Sequence, residues 1–138
     1  MYLWAVQSVP IAIAIAYAPA FLRIGIQAAN KVLDTREPRK AEIPEGIASR
    51  ADACHKNHLE LLPLYAGGIL ACVQAGVDEQ LVSRLATTYI AGRSIHAALY
   101  IQIEEFLGTG GTARTVTFLL GCMIPTLRLW LAAAAASR

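Results

Sequence analysis

Arg93, His96 and Tyr100 set a guanidinium, an imidazole and a phenol into the stretch Arg93-Ser94-Ile95-His96-Ala97-Ala98-Leu99-Tyr100, within an apolar segment long enough to cross a membrane. On a helix these positions are i, i+3 and i+7, so the three side chains line one face and can converge on a ligand. Ionisable groups at membrane depth are costly to leave in hydrocarbon, so that face is expected to look inward, toward other helices. A second constellation is His55-Lys56-Asn57-His58-Leu59-Glu60, in which Asn57 and Glu60 stand one turn apart. A membrane-embedded carboxylate needs a cation, and Arg93 on the following helix is the candidate in chain order. The pair then either staples two helices or belongs to a ligand site. In the second case Glu60 and Asn57 take the ammonium and amide groups of a polar ligand while arginines hold its carboxylates, for which a guanidinium fork is better shaped than an ammonium.

The elements that must position these groups follow from composition. The 138-residue chain is 56% hydrophobic and only 16% charged, with mean hydropathy +0.47, which is far less polar than an ordinary soluble domain. Its charges are clustered and leave four apolar stretches, predicting helices over about 2–22, 57–77, 85–107 and 115–136. Each is about 20 residues long, and at about 1.5 Å per residue that spans about 30 Å of hydrocarbon. The expectation is one all-α domain over residues 1–138, an integral membrane four-helix bundle. The first stretch has small residues at Ala18 and Ala20 but lacks the basic region that opens a secretory signal, so it reads as a spanning helix. Pro10 and Pro19 within it should kink the helix, which is tolerated where neighbouring helices satisfy the freed carbonyls.

Arg23, Lys31, Arg36, Arg39, Lys40, Arg50 and Lys56 fall between the first two helices, and Arg114 lies on the same side after the third. Basic residues gather on cytoplasmic loops, so this side, and the candidate site with it, is expected to face the cytoplasm of a multi-pass protein. The membrane would be endoplasmic reticulum in a eukaryote or the inner membrane in a bacterium. The net charge of +2 gives no reason to invoke nucleic acid. Cys54, Cys72 and Cys122 lack paired or metal-ligand spacing and read as small hydrophobes. A zinc site from His55, His58 and His96 lacks the usual accompanying cysteines or carboxylates, so no metal is assigned. Gly108-Thr109-Gly110-Gly111 has no lysine or preceding strand and reads as a turn rather than a phosphate loop.

Taken together, His55-Lys56-Asn57-His58-Leu59-Glu60 with Pro63-Leu64-Tyr65, then Arg93, His96 and Tyr100, then Arg114-Thr115-Val116-Thr117-Phe118 resemble the membrane-associated proteins in eicosanoid and glutathione metabolism, the MAPEG family. The resemblance covers nearly the whole chain. It implies a homotrimer of four-helix protomers, with glutathione held between protomers near the cytoplasmic face and a lipophilic substrate entering from the bilayer. By position it implies that Asn57, Glu60, Arg93, His96 and Tyr100 bind glutathione and that Arg114 activates its thiolate. Lowering a thiol pKa from about 8.5 by about two units requires about 2.7 kcal/mol of preferential thiolate stabilisation, within reach of a guanidinium beside a desolvated sulfur.

The chain departs from the family pattern at Ala53, where many members carry an arginine, and at Phe118, where many carry an aromatic hydroxyl. Arg50 and Lys56 are the candidates to replace the missing carboxylate clamp. The resemblance thus implies a glutathione-dependent transferase or peroxidase acting on a lipophilic electrophile. The departures keep open a glutathione-independent isomerase or cyclase in which His96, Tyr100 and Arg114 give acid-base or oxyanion help. A non-catalytic lipid-binding scaffold is the third reading.

Overall fold

The computed structural model describes residues 2–37, 41–103, 108 and 111–138, together with the backbone alone at Ile103. Arg39 and Lys40 of the basic loop, and Thr109 and Gly110 of the glycine-rich turn, lie outside the described residues. Four helices run in chain order, with no strand among the described residues. They are α1 (Leu3–Ala29), α2 (Ile47–Gln74), α3 (Glu79–Ala98) and α4 (Thr112–Ala136). α3 continues as a π-helical turn over Leu99–Ile103, and α4 is interrupted by another over Phe118–Met123.

Helix boundaries differ from the sequence expectation at three ends. α1 continues past Leu22 to Ala29, α2 opens at Ile47 rather than near Asn57, and α3 opens at Glu79 rather than near 85. Apolarity marks where a helix enters hydrocarbon, whereas backbone hydrogen bonding continues beyond it. Here the polar extensions hold each other: Arg23 Nη1 of α1 donates to Asp52 Oδ1 of α2 at 2.7 Å, and Lys56 Nζ lies 2.7 Å from Asp52 Oδ2. Among the described residues only α1 and α4 are long and apolar enough to cross a membrane by length and composition. α2 and α3 carry Arg50, Asp52, Lys56, Glu60, Arg84 and Arg93, so apolarity alone does not mark them.

The packing pattern is that of a bundle whose outer surface is its most apolar part. Along α1 the buried positions are Ala5, Ser8, Ala12, Ala16, Pro19, Ala20 and, near its end, Gln27, whereas Leu3, Ile13, Tyr17 and Phe21 are exposed. Small residues on the inner seam allow close helix approach where lipid outside is as apolar as leucine. α3 and α4 cross closely: a methyl added to Gly92 would run into the Gly121 carbonyl, and one on Gly121 would come within 2.8 Å of the Gly92 Cα. At the end of the bundle that holds the N-terminus, the Tyr2 hydroxyl donates to the Val77 carbonyl in the α2–α3 turn. That turn is closed by Gly76 at φ +68° and by Val77 N–H donating to the Cys72 carbonyl at 3.0 Å, a Schellman stop. Asp78 then caps α3 by accepting from Leu81 N–H at 2.8 Å.

Candidate functional site

The site grows from the opposite end of the bundle, where α2 begins, α3 ends and α4 opens. Gly111 takes the left-handed φ of +93°, a conformation glycine reaches without steric cost, and so turns the chain into α4 one helical turn before Arg114. The Arg114 guanidinium then stacks on the Tyr100 ring, with its carbon 4.2 Å from the ring centre. Tyr100 meets His96 edge-on at 5.6 Å between centroids, and His96 lies 5.6 Å from Phe118 and 5.8 Å from His58. Arg114, Tyr100, His96 and His58 therefore form a continuous file of ring and guanidinium contacts from the opening of α4 to the interior of α2.

Arg93 anchors a second file. Its Nη1 donates to Asn57 Oδ1 at 3.0 Å, its Nη2 to the Asn57 carbonyl at 3.3 Å, and its Nε to the Tyr89 hydroxyl at 3.3 Å. The guanidinium also lies 5.6 Å from the centres of both the Tyr89 and Phe118 rings. Tyr89 stacks face to face on Tyr65, with ring centres 3.6 Å apart and planes 2° from parallel, and the Tyr65 hydroxyl pairs with Ser8. A cation fully removed from solvent is thus surrounded by acceptors and aromatic faces, which offset the cost of burying its charge.

The residues singled out from the sequence fall into two layers. Arg93 and His96 are interior, each 2% exposed. Asn57, Tyr100, Arg50 and Arg114 are half-buried, and Lys56 and Glu60 are exposed. The ion pair between Glu60 and Arg93 is not formed. Asn57, one turn earlier on α2, takes the guanidinium, while Glu60 projects from the outer stripe that also carries Leu64 and Leu70. Of the two candidates for a carboxylate clamp, Arg50 Nε donates to the Ile101 carbonyl at 2.9 Å, tying the start of α2 to the π turn of α3, and Lys56 pairs with Asp52. Phe118 fills the space between Arg93 and His96, so the position without a hydroxyl is a packing position.

His55 separates from the other two histidines: its Nδ1 lies 2.7 Å from the Ala16 carbonyl, and its ring packs on Tyr17. Tyr89 is not among the residues that the sequence singles out, although its i, i+4 spacing to Arg93 is a signal, and neither is Cys54, which stands four residues before His58. No local spacing announces the staple between Arg23 and Asp52.

The MAPEG family model matches residues 1–135 of the chain. No curated protein and no solved structure matches it.

Proposed function

The chain belongs to the MAPEG family, and from that premise we propose that it is a glutathione-dependent transferase or peroxidase of the membrane, with a lipophilic electrophile or lipid hydroperoxide as second substrate. The observation that carries this reading is the stack of Arg114 on Tyr100 at the mouth of the bundle. There a permanent cation, at a helix opening that adds its own positive potential, favours an ionised sulfur over a neutral one. Asn57 and Glu60 on the adjoining stretch of α2 offer the polar contacts for the peptide part of glutathione, while Arg93 and His96 hold Asn57 and Tyr100 in place from behind. In this account Arg114, Tyr100 and His96 serve catalysis, and Asn57, Glu60, Arg93, His96, Tyr100, Arg50 and Lys56 serve binding.

Glu60 supports placing that site between protomers. An exposed carboxylate on a stripe of exposed leucines is costly against lipid, so a second copy or a bound ligand should cover it. We therefore read the assembly as a homotrimer in the bilayer, with four spans and the site toward the cytoplasm. The test is conjugation of glutathione to a lipophilic electrophile by purified protein. Turnover that requires glutathione and is lost in Arg114→Ala supports the reading. Conversion of a lipophilic substrate without glutathione would favour instead the isomerase or cyclase, which the engaged state of Arg50 and Lys56 and the edge contact of His96 with Tyr100 recommend as the second reading.

A further inference from the structure

At the inner edge of the layer assigned to glutathione, to which His96 itself belongs, three side chains with metal-ligand atoms meet in the interior. Cys54 and His58 stand at i and i+4 on one face of α2, and α3 brings His96 against them. They are 0%, 1% and 2% exposed. Cys54 Sγ lies 3.6 Å from His58 Nε2, and the three ligand atoms fall within 4.8 Å of one another. We propose that Cys54, His58 and His96 form a binding site for a monovalent thiophilic cation of the Cu(I) class.

Bond lengths support the spacing. Metal–sulfur and metal–nitrogen bonds of about 2.3 and 2.0 Å meeting at about 110–120° place sulfur and nitrogen about 3.5–3.7 Å apart, and two nitrogens about 3.3–3.5 Å apart. The Cys54–His58 separation is already at that value. A shift of His96 on the order of 1 Å closes the set, which a side-chain adjustment supplies. The His58 ring is prepared as well. Its Nδ1 is buried with no hydrogen-bond partner, and the Ile15 carbonyl, which Pro19 leaves without a helical donor, adjoins on the same helix the Ala16 carbonyl that meets His55. With Nε2 on a metal, Nδ1–H would turn to the Ile15 carbonyl, the outer contact that orients ligating histidines.

Charge chooses among thiophilic ions. Arg93, which donates to Asn57 beside His58, and Arg114, stacked on the Tyr100 ring that meets His96, set two guanidinium groups around the three ligands. Both oppose added positive charge. A monovalent ion with one thiolate is neutral, whereas Zn²⁺ with the same ligands keeps a positive charge beside two guanidinium groups. Zinc would also take a fourth ligand, a carboxylate or a water; among the described residues the neighbouring Asp52, two residues from Cys54, is held by Arg23 and Lys56. Thiolate and imidazole donors suit both Cu(I) and Zn²⁺, so charge and coordination number decide between them. Binding displaces the Cys54 thiol proton to solvent with no change in oxidation state.

The experiment is an anaerobic titration of the full-length protein in mild detergent with Cu(I), against a chromophoric Cu(I) chelator of known affinity. The expected result is one equivalent bound and one proton released. Affinity should fall at least hundredfold in Cys54→Ser and stay unchanged in His55→Gln. If Cys54→Ser does not yield folded protein, His58→Gln replaces it with the same expectation. Less than one equivalent bound, equal binding by the variant, or stoichiometric displacement of Cu(I) by Zn²⁺ overturns the proposal. Glutathione turnover is not part of the readout, so failure here leaves the transferase reading standing.

Discussion

The Arg114 guanidinium sits 4.2 Å above the centre of the Tyr100 ring, so the first turn of α4 rests on the π-helical end of α3. A cation over an aromatic face is worth about 0.5–2 kcal/mol, or about a 2- to 30-fold effect if it seats a catalytic charge. Tyr100→Phe preserves the face and Tyr100→Leu removes it. Glutathione turnover should therefore stay within a few-fold of wild type in the phenylalanine variant and drop by about tenfold or more in the leucine variant. A comparable drop in both would mean that the Tyr100 hydroxyl takes part in the chemistry, as the isomerase or cyclase reading requires.

Asn57→Ala removes the side-chain acceptor of a buried cation and leaves the backbone carbonyl, which also receives Arg93, in place. A hydrogen bond to a charged group contributes about 1.5–3 kcal/mol, and a buried donor left unsatisfied adds its desolvation cost. Thermal unfolding in detergent should show a loss of about 2 kcal/mol in Asn57→Ala. Glu60→Gln, at an exposed residue that Arg93 does not reach, should leave monomer stability nearly unchanged while weakening assembly or glutathione binding.

At the α3–α4 crossing the backbones of Gly92 and Gly121 leave no room for a methyl group, whereas Gly25 on α1 has open space around it. Overpacking of this kind costs about 1–3 kcal/mol. Gly92→Ala should lower the unfolding midpoint and, by prying α4 away from α3, disturb the stack of Arg114 on Tyr100. Gly25→Ala should be neutral or slightly stabilising, because alanine favours the helix by about 1 kcal/mol over glycine. Equal behaviour of the two variants would contradict the close crossing.

Orientation can be tested without first removing the native thiols, since Cys54, Cys72 and Cys122 are all fully buried. The basic loop predicts that Thr35→Cys reacts with an impermeant reagent only from the cytoplasmic side and Gln80→Cys only from the opposite side. The reverse pattern would place the site outside.

Much of the site was legible because Arg93, His96 and Tyr100 obey helical spacing, and Arg93 and His96 do turn inward together. Tyr100 is half-buried rather than buried, since the π turn that begins at Leu99 widens the helix there, and an extra residue in one turn leaves no mark in composition. Helix existence was legible from apolar runs, but the ends were not, because Arg23, Asp52 and Lys56 stay helical through pairing across two elements. The choice of Asn57 over Glu60 as the partner of Arg93 depends on the rotation of α2 relative to α3. For the same reason Cys54, four residues before His58, reads as a small hydrophobe in the chain: the arrival of His96 beside the pair depends on that rotation.

The central claim is that glutathione is held here as a thiolate by Arg114. The most direct measurement is the ultraviolet thiolate difference absorbance of glutathione added to purified protein at neutral pH, taken alongside a calorimetric binding titration. A saturable thiolate signal is expected in wild type, and in Arg114→Ala a signal that disappears while affinity stays within a few-fold, because the side chain would act on the sulfur rather than on the peptide. Absence of glutathione binding to wild type at millimolar concentration, or a thiolate signal unchanged in Arg114→Ala, would contradict it.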